Sequence, residues 1–183
     1  MKRVLLSLLI TLTFLTGCSQ ESDLDKGNVS PSAEMANQDA GMPADMPDDF
    51  NFAVRFGYGE VTKNEINTYQ GTVTKDLITK GTATAHLKFT QDEMREIYGK
   101  MREINIMAPK KFAKSQNCSK SPSNEDEWTI TVDGKTQSFS WTDRHCELSD
   151  DAIALLEIRN FIQSIVNGKA AYQALPAAEG GYD

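Results

Sequence analysis

Asp143-Arg144-His145-Cys146-Glu147 is the densest run of potential ligands, bases and nucleophiles in the 183-residue chain. An imidazole beside a thiol, flanked by carboxylates, has the parts of a zinc site or of an activated cysteine. A zinc site needs a second ligand pair at helical or knuckle spacing, and elsewhere only Cys118 is on offer. A thiolate nucleophile needs Cys146 free, and pairing with Cys118 would abolish it. Disulfide exchange normally uses Cys-x-x-Cys at a helix start, and that is absent. So are Gly-x-Ser-x-Gly, His-Glu-x-x-His and a phosphate loop. Phe56-Gly57-Tyr58-Gly59 lacks the third glycine and following helix of a dinucleotide fingerprint, and reads as a strand end turning. His86 alternates onto the polar face of its strand and reads as a surface residue. Met35, Met42 and Met46 carry soft sulfurs that could hold Cu(I); their irregular spacing, away from His or Cys, reads as filler. Three runs of acids, Asp48-Asp49, Glu125-Asp126-Glu127 and Asp150-Asp151, could supply the two carboxyls of a glycoside hydrolase. They read instead as tether, solvated loop and helix cap. The expectation is therefore a non-enzymatic protein with no cofactor and no metal, the alternative being a hydrolase that uses acidic residues or His145.

The elements that must position these residues begin abruptly at Asp49. Phe50, Phe52, Val54, Phe56 and Tyr58 alternate with Asn51, Ala53, Arg55 and Gly57, the period-two pattern of a half-buried strand. Ile66 to Leu77 reads as a second strand with Gly71 as a bulge or close approach. A third follows the Lys80-Gly81 turn, with Ala83, Ala85, Leu87 and Phe89 on one face. Thr90-Gln91-Asp92-Glu93 is a capping box. The helix it opens carries Met94, Ile97, Tyr98, Met101 and Ile104 in one stripe, with Gly99 placed to permit a close crossing. After a polar, Lys- and Ser-rich loop over 109–125, two runs flank Asp133-Gly134, a strong hairpin signal. A two-residue turn sets Trp128 opposite Phe139 and Ile130 opposite Gln137. Ser149-Asp150-Asp151 then caps a last helix with Ala154, Leu155, Ile158, Phe161, Ile162 and Ile165 facing the core, ended by Asn167-Gly168. This predicts an α+β fold, an antiparallel sheet of about five strands in the order β-β-β-α-β-β-α, with two helices packed on one face.

Upstream, Met1-Lys2-Arg3 precedes the apolar run Val4–Leu15, twelve residues long and too short to span a bilayer, which needs about 20. It ends in Leu15-Thr16-Gly17-Cys18, which resembles a bacterial lipoprotein signal. The resemblance implies cleavage before Cys18, thioether-linked lipid and usually an amide-linked acyl chain on that cysteine, and anchoring to the extracytoplasmic side of the cell membrane by lipid alone. Residues 1–17 are then a signal peptide, 18–48 a lipidated cysteine with a disordered acidic tether, 49–175 one domain and 176–183 a loose tail. Loss of Lys2 and Arg3 takes the formal charge from −7 to −9, which argues against nucleic acid as a partner. The tether, a coil of roughly 30 residues, would span about 30 Å on average. With Cys18 lipidated, Cys118 and Cys146 are an even pair in an oxidising compartment, where a disulfide is the default. The hairpin register sets Cys146 opposite residue 121, three positions from Cys118, within reach of a slack loop.

The run Phe56-Gly57-Tyr58-Gly59, with Lys63 to Asp76, Met94, Ile97 and the ending Leu175-Pro176…Gly180-Gly181-Tyr182, resembles a family of uncharacterised lipoproteins of Gram-positive bacteria. The resemblance implies an envelope lipoprotein and brings no catalytic or binding residues. What remains is a binding or interaction module on a leash, its partner an envelope protein or an extracellular ligand. Two surfaces are candidates: a positive patch of Lys110, Lys111, Lys114 and Lys120, and the polar sheet face around Lys63, Tyr69 and His86.

Overall fold

In the computed structural model the residues described are 41–58, 61–112 and 117–182. Cys18, Met35, Lys114 and the whole of the expected signal lie outside them. Six strands form one antiparallel sheet: β1 (Asn51–Tyr58), β2 (Val61–Asn67), β3 (Thr72–Asp76), β4 (Thr82–His86), β5 (Asn124–Val132) and β6 (Lys135–Thr142). Their spatial order is β4-β3-β2-β1-β5-β6, so the first strand is central. Helix α1 (Gln91–Glu103) links β4 to β5, and α2 (Asp150–Asn167) follows β6, with a short α3 (Ala170–Gln173) after it. The α+β expectation holds, with six strands where about five were expected.

The extra strand comes from Ile66 to Leu77, which is not one strand. Asn67 takes the Gln70 N–H on its side-chain oxygen at 3.1 Å, and the Thr68 hydroxyl accepts the Phe52 N–H at 2.7 Å. The chain is thereby turned out of the sheet, and Gly71, at φ 61°, completes a hairpin turn rather than a bulge. β-Rich composition on both sides of that turn hid it.

Alternation places Phe52, Val54, Trp128, Ile130 and Val132 on one face of the sheet, where they form a single core with Ile97 and Met101 of α1 and Leu155, Ile158, Ile162 and Val166 of α2. Both helices cover that face. The α1 capping box is formed in both directions, Glu93 N–H to Thr90 and Thr90 N–H to Glu93, and Ser149 caps α2 through the Ala152 N–H. The buried line of α2 runs through Ala152 and Val166, while Ala154, Phe161 and Ile165 are only half-buried. Gly99 mediates no close crossing, since a Cβ there would have nothing within 4 Å.

Two boundaries move. The folded unit starts before residue 49: Met42 is buried, the Tyr98 hydroxyl donates to the Pro43 carbonyl at 2.7 Å, and Asp49 accepts the Asp133 and Gly134 amides of the β5–β6 turn at 2.9 and 2.6 Å. The C-terminal tail is fastened rather than loose. Glu179 exchanges backbone bonds with Leu77 and Thr79, and the Tyr182 hydroxyl donates to Asp76. Gly180 is required there, because at φ 101° a Cβ would come within 2.8 Å of Thr79 Cγ2.

Candidate functional site

The β2–β3 turn and the segment from β4 into α1 leave a groove between them at one end of the sheet. It has a volume of about 330 Å³ and is lined by Asn51, Thr68, Tyr69, Gln70, Gly71, Leu87, Lys88, Phe89 and Met94. That is at the small end of the range for ligand clefts. Tyr69 is 44% exposed, one of three large apolar or aromatic side chains left so open among the described residues, with Tyr58 and Ile153. Its hydroxyl reaches over the end of β1 to Thr131 Oγ1 of β5 at 2.8 Å and to the Asn51 carbonyl at 3.3 Å. The ring is therefore held in one orientation with its face to solvent. Gln70 and Lys88 are exposed at the rim, and Phe89 and Met94 give the floor an apolar part. Such a site can stack a flat or weakly apolar face of a ligand on Tyr69 and donate hydrogen bonds from the rim.

Of the sheet-face residues expected beside Tyr69, Lys63 is engaged, bonding the Tyr182 hydroxyl at 3.4 Å and pairing with Asp76 at 3.9 Å. His86 is exposed at the end of β4. Around them the uncovered face is rich in hydroxyls that bond across strands: Thr74 with Thr84, Thr129 with Ser138, Thr131 with Thr136.

The lysine patch dissolves into structural roles. Lys110 turns its ammonium back onto the Ile104 and Asn105 carbonyls at the C-terminal end of α1, at 3.0 and 2.8 Å, and burial lowers its pKa. Lys120 lies 2.5 Å from Asp143. Lys111 is exposed, its backbone N–H held by Asp151, and Lys114 lies outside the described residues. A loop that reads as a cationic surface thus uses two of its lysines to tie itself down.

Cys118 and Cys146 are joined as expected, with Cα atoms 5.8 Å apart. The joint sits beside Asp143, whose carboxylate accepts the Asn124 N–H and side-chain amide at 2.7 Å each, together with Lys120. Burial pushes the Asp143 carboxyl up, but these bonds outweigh it and its pKa is lowered. His145 is half-buried. The grooves at Tyr69, at Met42 and Lys135, and between α1 and α2 are each lined without it. Among the described residues no three His, Cys, Asp or Glu side chains converge as a metal site would need.

Asp126 corrects an expectation outright. It lies in β5 rather than in a solvated loop, faces the helices beside Trp128, and is 1% exposed. Arg159 of α2 donates to it at 2.8 Å and lies over the Phe56 ring, 4.8 Å from its centroid. Burial pushes the Asp126 pKa up to about 6 in spite of that arginine. The pair signals itself in sequence only if the strand is extended two residues back from Trp128. Closed to solvent, it fastens α2 to the sheet and offers nothing to a substrate.

No helix of the described residues is long and apolar enough to cross a membrane. No protein-family model, curated protein or solved structure matches the chain.

Proposed function

We propose that this is a membrane-anchored envelope lipoprotein, lipidated on Cys18, whose folded domain is a non-enzymatic recognition module on the extracytoplasmic side. The observation that carries the recognition reading is the half-exposed Tyr69 ring, pinned through its hydroxyl to Thr131 above a groove of about 330 Å³. An aromatic face left to water yet fixed in place gives up little side-chain entropy when a ligand covers it. The address rests on the Leu15-Thr16-Gly17-Cys18 signal and is supported by the joined Cys118 and Cys146, a chemistry of oxidising compartments. The ligand is an extracellular molecule or a segment of another envelope protein.

Two experiments test this. Labelling of cells with a fatty-acid analogue should mark the protein and be lost in Cys18→Ala; an unlabelled, uncleaved chain sinks the address. A photoreactive group at Gln70 should give a discrete adduct in intact cells that the same group at Asn160, exposed on α2 and outside the groove between the helices, does not. Identical adducts from both positions, or none from Gln70, would remove the groove from the account.

A further inference from the structure

The sheet ends in two strands that are guarded very differently. β4 is five residues long, lies between Lys80 and Lys88 in sequence, and has α3 packed beside it. β6 is eight residues long, has no proline, carries one charge, Lys135 at its first position, and pairs with β5 without a break in register from Val132–Lys135 to Glu125–Thr142. Short length, charge, proline, bulges and cover are the usual protections of an open edge. β6 has almost none.

The turn tells which of its backbone groups are open. Asp133 and Gly134, at φ 51° and 72°, form the two-residue mirror-image turn whose flanking pair, Val132 and Lys135, exchanges both backbone bonds. Alternation from that pair makes Gln137, Phe139 and Trp141 bond inward to β5. It turns the N–H and C=O of Thr136, Ser138, Ser140 and Thr142 outward. Among the described residues no group bonds to these outward atoms.

We propose that β6 is the seam of a homodimer, two copies joining β6 to β6 antiparallel to make one continuous sheet. Outward residues must oppose outward residues, so opposed residue numbers have an even sum. Centring the dyad on Phe139 opposes Thr136 to Thr142 and Ser138 to Ser140, using all four outward residues of each copy. A shift of two in either direction leaves one of them facing Gly134 or Arg144. Phe139, already in ring contact with Trp128 at 6.4 Å and Phe112 at 6.2 Å, meets its own twin at the dyad. The pairing is isologous, so it closes at two copies and leaves only the guarded β4 edges. It does not depend on the groove at Tyr69.

Sedimentation of the full chain in mild detergent at 150 mM salt should show a concentration-dependent dimer. Ser138→Pro removes an outward amide that makes no bond within its own copy, and should weaken association at least tenfold with unchanged circular dichroism. A wild-type chain that stays monomeric throughout, or a dimer indifferent to a folded Ser138→Pro variant, overturns the proposal. Should that variant fail to fold, cysteine substitution decides. Phe139→Cys lies on the dyad and should cross-link spontaneously, whereas Gln137→Cys, four residues from its twin, should not. Equal yields at the two positions would mean random collision and the end of this seam.

Discussion

Asp126 and Asp143 are both carboxylates withdrawn from water at the β5–β6 end of the sheet, and their surroundings drive them in opposite directions. Asp126 lies under α2 with Arg159 as its partner; among the described residues its second oxygen has no hydrogen bond, and neither do the indole nitrogens of Trp128 and Trp141. Asp143 lies at the open end of the hairpin, where Asn124 and Lys120 bond both of its oxygens. Burial dominates at the first and raises the pKa to about 6; bonding dominates at the second and lowers it. The lesson is that withdrawal from water does not by itself set a carboxyl's protonation. The number of donors aimed at it does.

The harshest way to break this comparison is to remove Arg159. Arg159→Met keeps most of the volume and leaves Asp126 buried without its cation, which should cost about 3–5 kcal/mol in urea unfolding at pH 8. At pH 5, where Asp126 is already largely protonated, the loss should be less than half of that. Arg159→Met combined with Asp126→Leu should recover most of the stability, because two apolar side chains have no charge to desolvate. A double variant as weak as the single one would mean that the arginine matters for its packing on Phe56 and not for its charge.

Next in size is the pH dependence of the wild-type protein. With a folded pKa raised from 3.8 to about 6, Asp126 binds more protons folded than unfolded across that window. Its contribution therefore falls as pH rises from about 4 to 6, by about 3 kcal/mol at 1.36 kcal/mol per unit. Asp126→Asn should flatten that interval in unfolding curves taken at successive pH values. An unchanged slope would place the responsible group elsewhere.

How much of this was legible in the sequence follows from how local each signal is. The Trp128–Phe139 register, the Thr90–Glu93 capping box and the Ser149 cap are fixed by neighbours within a few residues, and each stands as read. The Cys118–Cys146 joint followed from one hairpin register and a count of cysteines. Lys110, Met42 and Tyr182 read differently in sequence because their partners, at Ile104, Arg102 and Asp76, are set by packing that no period announces. Asp126 sits between these cases: its face follows from Trp128 and Ile130, but an acid among acids reads as solvated until Arg159 is brought over it. Tyr69 reads in sequence as one member of a polar face, while the groove beside it depends on a turn that strand-like composition conceals.

The smallest expected effect is the sharpest on the comparison. Asp143→Asn keeps the shape and the oxygen that accepts the Asn124 N–H, and loses the charge facing Lys120, whose own side chain is 43% exposed. Exposure of the lysine screens the ion pair, so the loss at pH 7 should be about 1 kcal/mol. Because the folded pKa of Asp143 is lowered, its stabilisation is present above about pH 4 and disappears as pH falls through the lowered value. The gap between wild type and Asp143→Asn should therefore close below pH 4, whereas the Asp126→Asn comparison changes only between about 4 and 6. The two carboxyls act in separate pH windows with opposite slopes. A gap at Asp143 that persists undiminished at pH 2 would show that Asn124 and Lys120 recognise the side chain's shape, and that charge is not what distinguishes the two ends of this hairpin.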